Sequence, residues 1–426
     1  MEKQALPVFF ICLGILALDF YVIRGVRFGL RKWKFSQKPV FTNLYWSVSV
    51  LVSLGIFISI FARTGLSFRA AFMLVFFLLT LTKLIFLPFL VADDLRRLFK
   101  WQRAKTNPAI PEAEKPALNA ISRSEFITKA GLIAGSIPIA GMLYGTMSGV
   151  YDYRVKHVKL YLPNLPKAFD GIKLGQISDI HSGSFYNKKA VAGGVEMLLR
   201  EKPDLIFFTG DLVNTLANEM NNYQDIFSKV KAPLGVFSSL GNHDYGDYKE
   251  NWGNWEAKIK NFEDILATHK NMGWDLLRNE NRRLKVNGEE IGILGVENWG
   301  SISRFGHRGR LDLATANTGD LPVKLLLSHD PSHWRAQVLP GYPQIDAMFS
   351  GHTHGMQFGI RTENFQWSPI KYIYPEWAGL YREGKQQLYV NVGYGFLGYP
   401  GRLGIYPEIT IFELKASADP SLTKNA

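Results

Sequence analysis

The sequence has a single cysteine, Cys12, in 426 residues. That excludes an internal disulfide and any metal cluster held by thiolates. Proline and glycine are not enriched: 20 Pro and 39 Gly rule out a collagen-like or low-complexity chain. Bulk disorder is excluded too, because 47 % of the residues are hydrophobic and only 20 % charged. Acidic residues are scarce in one region alone. Residues 1–156 carry 20 Lys/Arg against 8 Asp/Glu, whereas 157–426 carry 29 of each, so the net charge of +12 lies wholly in the N-terminal part. An excess spread over a soluble domain would point to nucleic acid. Confined to the part with long apolar runs it is a sign of membrane topology, and no nucleic-acid partner is expected.

Residues 1–152 read as a transmembrane region. Runs at about 7–23, 44–62 and 70–92 are long enough to cross a bilayer core, and a fourth, 130–150, is richer in Gly and Ser and contains Pro138. The connector after the first run holds Arg24, Arg27, Arg31, Lys32, Lys34 and Lys38. The stretch 93–129 after the third, read as a linker with a Pro-rich centre at 107–120, is equally basic. The positive-inside rule places both connectors in the cytoplasm; with four spans the C-terminal half lies outside, and if 130–150 does not cross it lies in the cytoplasm instead. The expected location is the cell (inner) membrane, multi-pass, with the lipid bilayer as a partner. Residues 122–129 partly resemble a twin-arginine export signal with Ser124 in place of the second Arg; a plain membrane anchor explains them equally. Asp19 and Lys83 fall inside predicted spans, where ionisable groups face a partner, so an ion pair between helices is expected; two such residues do not make a transport pathway.

From 153 to 414 the texture is that of a soluble α/β domain, followed by a flexible tail at 415–426. Short apolar runs at 158–162, 172–177, 205–209, 236–240 and 291–296 read as strands, as do 325–328, 347–350, 388–392 and 409–414; helical patterns cover 188–201 and 255–272. The chemistry sits where strands stop. Asp179 and His181 follow one strand, Gly210-Asp211 the next, then Gly241-Asn242-His243-Asp244, His329-Asp330, and Gly351-His352-Thr353-His354. Sheets of this class place their sites at the carboxyl ends of strands. Five of the nine His lie in these loops. A lone strand-end His is more often structural; five loops repeating the pattern point to metal, and imidazole with carboxylate suits Mn, Fe or Zn.

These five blocks, in this order and strand context across about 160–414, resemble the calcineurin-like metallophosphoesterase superfamily, and within it the membrane-anchored bacterial phosphodiesterases. The resemblance implies two mixed β-sheets sandwiched together and flanked by helices, preceded here by about four transmembrane helices. It implies two divalent or trivalent metal ions. Asp179, His181, Asp211 and His354 would hold one; Asp211, Asn242, His329 and His352 would hold the other, with Asp211 bridging. It also implies that His243 acts catalytically, as charge stabiliser or proton donor to the leaving oxygen, while Asp244 either orients that imidazole or closes the turn. Gly210-Asp211 continues as Leu-Val-Asn-Thr, without the Asp-Arg pair of the protein Ser/Thr phosphatases. Asn214 stands where purple acid phosphatases place a Tyr ligand. Those departures leave phosphodiesterases and pyrophosphatases.

The expected function is thus a membrane-tethered dimetal phosphohydrolase acting on a phosphorylated small molecule, a phosphorylated lipid or a lipid-linked nucleotide. The alternatives are a broad phosphomonoesterase or nucleotidase, and a non-catalytic sensor or transport component with a metal-binding outer domain. Arg402 is the candidate substrate-binding residue, with Arg361 a second; an ordinary surface role is the alternative reading for each. The aromatic run 245–255, with Trp299, Phe358, Trp367 and Trp377, reads either as a lipid-facing rim or as loop packing.

Overall fold

A computed structural model describes residues 2–61, 66–106, 122–249 and 251–417. It divides into two compact units, 1–143 and 144–426.

The N-terminal unit is built from α1 (Glu2–Gly29), α2 (Pro39–Phe61), α3 (Leu66–Thr106) and most of α4 (Arg123–Met147). All four helices are long and apolar enough to cross a membrane, α4 included despite Pro138. At 1.5 Å per residue α3 is about 60 Å long, twice a hydrocarbon core. The stretch read as a linker from residue 93 is therefore helical up to Thr106, and its charges pair along the helix: Asp93 bonds Arg96 and Arg97 at one-turn spacing. The Pro-rich stretch 107–120 lies outside the described residues. The segment resembling an export signal opens α4, where buried Glu125 pairs with Arg31 at 2.5 Å and Lys129 at 2.8 Å, as befits a structural anchor.

The expected intramembrane ion pair is present. Lys83 Nζ on α3 lies 2.8 Å from Asp19 Oδ1 on α1. From α2, Tyr45 donates to Asp19 at 2.5 Å, Ser49 donates to its other oxygen, and Lys83 bonds the Ser49 hydroxyl at 2.9 Å. Three helices thus share one satisfied polar cluster, which fixes their register in a solvent that offers no alternative partner. Lys83→Met leaves the Asp19 charge buried and unpaired, at a cost of about 3–5 kcal/mol. It should lower the thermal midpoint of the detergent-solubilised protein, and Asp19→Asn in the same chain should recover most of the loss. A wild-type midpoint for Lys83→Met would contradict this role.

The C-terminal unit holds two six-stranded mixed sheets. The first uses β1 (Arg154–Tyr161), β2 (Lys173–Ile177), β3 (Leu205–Thr209), β4 (Val236–Ser239) and β5 (Asp275–Leu276). The second uses β6 (Glu280–Val286), β7 (Glu289–Gly295), β8 (Lys324–Leu327) and β9 (Ala347–Ser350). A two-stranded hairpin, β10 (Ile360–Arg361) and β11 (Gln366–Trp367), stands apart. β12 (Gly379–Glu383) and β13 (Gln386–Val390) complete the second sheet in the order β12-β13-β9-β8-β7-β6, and β14 (Glu408–Lys415) enters the first as β1-β14-β2-β3-β4-β5. Residue 415, expected in the tail, is thus the last of a strand paired with Tyr161.

Strand alternation builds the sandwich. Leu205 and Phe207 of β3 face Ile291, Leu325 and Phe349 in one core, while Ile206 and Phe208 face outward onto Val191, Val195 and Leu198 of the helix α5 (Lys188–Arg200). Leu326 and Met348 face the opposite flank, against Trp334 and Val338. β2, β3 and β4 run parallel in the first sheet, and β7, β8 and β9 in the second. Five of these strands, β2, β3, β4, β8 and β9, deliver the loops that carry the predicted ligands.

Candidate metal centre

The strand-end loops pay a local conformational cost. Asp179, His181, Asp211, His352 and His354 all have positive φ, between +47° and +73°. Non-glycine residues adopt this region rarely, and a cluster of five marks a place where side-chain direction overrides backbone preference. The neighbouring glycines have a steric reason. A Cβ on Gly351 would lie 2.1 Å from Asp179 Oδ2, and one on Gly241 would lie 2.2 Å from Asp211 Oδ1. The carboxylates rest against bare backbone, so Gly-His and Gly-Asn are the sequence trace of that approach.

Two groups of ligand atoms result, each mutually within 4.8 Å: Asp179, His181 and His354, and Asp211, His329 and His352. Asp211 Oδ2 lies 3.4 Å from His181 Nε2 and 3.1 Å from His329 Nε2, so one oxygen stands between the two groups. Asn242 donates through Nδ2 to the Tyr248 hydroxyl at 2.7 Å, which leaves its Oδ1 free.

The fit to metal can be tested on the polar atoms themselves. Both ring nitrogens of His181, His354 Nε2 and Asn242 Oδ1 are buried without a hydrogen-bond partner. Native interiors rarely leave such atoms unpaired. Here four fall on three of the seven predicted ligands. The tautomers agree. His329 Nδ1 donates to the Thr209 carbonyl at 2.7 Å, which leaves Nε2 for a cation. His352 Nε2 bonds the Tyr374 hydroxyl at 2.9 Å, and that hydroxyl donates to Asp330, which leaves His352 Nδ1 facing His329 Nε2 at 3.3 Å. The residues present fit a pair of cations.

Protonation follows the same logic. Burial opposes the charge on Asp179, yet the His354 imidazole outweighs it and holds the carboxyl below its usual range. Burial likewise opposes ionisation of Asp211, and the rings of His329 and His243 overcome it. His329 is pushed up to about 10 against its burial, because the Asp211 carboxylate beside it favours the imidazolium. Burial lowers His352 and His354, which favours their neutral, lone-pair-bearing forms. The centre attracts positive charge.

Asp244 takes the second of its two expected roles, closing the turn, and the substrate-binding expectations for Arg402 and Arg361 need correction. Asp244 does not touch the His243 ring. Its carboxylate accepts the backbone N–H groups of Gly241, Asp211, Leu212 and Val213 at 2.8–3.3 Å, so it closes the turn and ties two ligand loops together. His243 Nδ1 instead bonds the Asn214 carbonyl at 2.7 Å, and Tyr248 stacks on the ring at 4.2 Å. Arg402 is fully buried rather than open to substrate. It bonds the carbonyls of Val392 and Gly395 and lies 3.2 Å from His354 Nδ1, so it braces a candidate ligand from behind. Arg361 is turned inward onto Glu408. Of the aromatic run, Tyr245 stacks on Phe262 and Trp252 bonds the Gly246 carbonyl; loop packing accounts for both.

Sequence reasoning missed Tyr374 and Asp330, which fix His352, although Asp330 adjoins His329. It also missed Arg304, an exposed cation over the Phe305 ring at 4.6 Å, with that ring edge-on to His352.

With this geometry in place, the comparisons with known proteins decide the family. Residues 172–356 match the family described as "Calcineurin-like phosphoesterase". Residues 4–150 match "Probable Calcineurin-like phosphoesterase, transmembrane domain". The chain belongs to the calcineurin-like phosphoesterases. It is a membrane-associated metallophosphoesterase with a four-helix membrane region. The "Uncharacterized metallophosphoesterase YkuE" of Bacillus subtilis is 27 % identical over 309 residues, 70 % of this chain and 99 % of that protein. The "Transmembrane protein with metallophosphoesterase domain" of Danio rerio is 27 % identical over 282 residues, 64 % of this chain. Its Bos taurus namesake is 26 % identical over 312 residues, 71 % of this chain. The alignments span 60 % and 66 % of those two longer proteins.

If Asp244 is the staple of this centre, Asp244→Ala strands four buried N–H donors. It should then lower the unfolding free energy of the protein by about 2–4 kcal/mol, read as a reduced thermal midpoint. Asp244→Asn should recover only part of it, since one amide oxygen replaces two acceptors. An unchanged midpoint for the alanine variant would contradict the assignment.

Proposed function

We propose that the chain hydrolyses phosphodiester or pyrophosphate bonds at a dimetal centre and that its substrate is a phosphorylated lipid or lipid-linked nucleotide. The observation that carries this reading is the Asp211 carboxylate standing between two groups of ligand atoms, beside which both ring nitrogens of His181, His354 Nε2 and Asn242 Oδ1 are buried without a hydrogen-bond partner. Asp179, His181, Asp211 and His354 would hold one ion; Asp211, Asn242, His329 and His352 would hold the second. Two cations bound there would supply Lewis acidity for the phosphate oxygens and a water nucleophile at neutral pH.

The remaining groups do their work through this chain's own atoms. His243, with Nδ1 committed to the Asn214 carbonyl, exchanges a proton only through Nε2, the atom suited to protonate the leaving oxygen. Tyr248 holds both that ring and the Asn242 amide. Arg304, exposed over the Phe305 ring that meets His352 edge-on, would provide positive charge for a phosphate diester or diphosphate. The absence of an Arg after Asp211, together with Asn214 acting through its carbonyl, supports a diester or anhydride over the substrates of the protein Ser/Thr phosphatases.

With Mn²⁺ added, the purified full chain should hydrolyse bis-p-nitrophenyl phosphate faster than p-nitrophenyl phosphate. Asp211→Asn should reduce the diester rate by about two orders of magnitude or more. Equal rates for variant and wild type would sink the dimetal mechanism, and turnover of the monoester alone would replace this reading with a phosphomonoesterase. The membrane placement carries its own test. Topology reporters fused after Arg154 and after Arg103 should report opposite faces, outside and cytoplasmic respectively. Both reporting cytoplasmic would put the catalytic unit inside the cell.

A further inference from the structure

The C-terminal unit exposes twelve large apolar side chains among the described residues, and their placement is uneven. Only Trp255, Ile259 and Leu313 are scattered. Six lie on one segment, 356–373: Met356, Phe358, Ile360, Phe365, Tyr372 and Ile373, each at least 43 % exposed. The other three are Tyr144 and Met147, in the last turn of α4, and Tyr186, whose hydroxyl donates to the Thr146 carbonyl in that same turn. Contiguous apolar surface of this kind is uncommon on soluble monomers and marks an interaction face.

Backbone contacts within the unit join these groups. Leu403 N–H donates to the Gln357 carbonyl at 2.8 Å and Gly359 N–H to the Leu403 carbonyl at 3.0 Å; the adjacent Arg402 N–H donates to the Gly145 carbonyl at 3.2 Å. A Cβ on Gly149 would lie 2.1 Å from the Arg402 carbonyl oxygen, so the loop seats directly on the backbone that ends α4. The apolar segment therefore lies beside the emergence of a membrane-spanning helix. Its other end reaches the metal centre. The segment begins two residues after His354 and ends next to Tyr374, whose hydroxyl holds His352 at 2.9 Å, and Ser368 closes its base on the Gly355 carbonyl at 2.8 Å. Arg361 is spent on Glu408, which leaves Glu363 and Lys371 as its exposed charges.

We propose that segment 356–373 rests in the headgroup layer of the membrane the helices span. A lipid of that leaflet would then enter the metal centre along this face with its phosphate leading. Aromatic and aliphatic side chains beside a few charges suit that layer. The inference rests on the hydrolytic reading above and names its substrate class: water adds across a P–O bond of the lipid, and the leaving oxygen takes up the proton.

The test uses the full chain reconstituted into vesicles of phosphatidylcholine and phosphatidylglycerol. With Cys12→Ser as background, single cysteines replacing Phe365, Tyr372 or Leu313 carry a spin label. The labels at 365 and 372 should be relaxed by oxygen more than by a water-soluble nickel complex, and the label at 313 the reverse. Water-like behaviour at all three would overturn the membrane seat. In a second arm, Ile360→Ser, Phe365→Ser and Ile373→Ser are combined. Hydrolysis of CDP-diacylglycerol in vesicles should fall at least about tenfold, while the rate on soluble bis-p-nitrophenyl phosphate is retained. Wild type that cleaves the soluble diester but not the lipid, or a variant that keeps its lipid rate, would overturn the lipid route. Wild type inactive on both would overturn the hydrolytic reading itself, with the spin-label depths still judging the membrane seat.

Discussion

One carboxylate organises the catalytic unit. Asp211 Oδ2 lies 3.4 Å from His181 Nε2 and 3.1 Å from His329 Nε2, and its partner oxygen accepts the His243 backbone N–H at 2.8 Å. A buried carboxylate in that position is tolerable only because positive charge surrounds it. The rest of the centre can be read as the means of keeping it there. Asp244 pins the backbone of residues 211–213 to Gly241, Gly241 leaves room for the carboxylate, and left-handed φ values at five ligands aim the side chains inward. The strain of those conformations is carried by two packed sheets whose strands β2, β3, β4, β8 and β9 end in the ligand-bearing loops.

A second layer of contacts sets which ring nitrogen is offered. Thr209, Tyr374 and Asn214 each take one nitrogen of a histidine and so define the other. Such outer partners orient imidazoles as firmly as the ligands bind. Arg402 extends this layer in an unusual direction. It bonds carbonyls behind His354 while its own backbone sits on the last turn of α4, so the end of a membrane helix and a candidate ligand share one residue as neighbour.

The legible part of the sequence was the part with local causes. Gly-Asp, Gly-Asn-His and Gly-His-Thr-His record a close approach of side chain to backbone, and the strands before them announce themselves by apolar runs. The four apolar helices and the Asp19–Lys83 pair were equally visible, because a bilayer leaves few ways to accommodate either. What escaped the sequence depends on distant contacts. Arg402 reads as a surface cation until the carbonyls of Val392 and Gly395, distant from His354 in sequence, enclose it beside that ring. For Asp244 the sequence leaves open a partner in His243 or a turn closure, and only the fold shows its carboxylate accepting amides 33 and 32 residues away. β5 and the β10–β11 hairpin are two-residue strands with no pattern to detect, and α3 outruns its apolar stretch because one-turn ion pairs carry the helix into charged sequence.

The claim beneath all of this is a pair of cations sharing Asp211. Metal content of the purified full chain, measured by mass spectrometry after exhaustive dialysis, tests it most directly. The account requires two tightly held ions per wild-type chain and a clear loss when Asp211 is replaced by Ala. A wild-type chain that retains no metal, or the same content in both proteins, would contradict it.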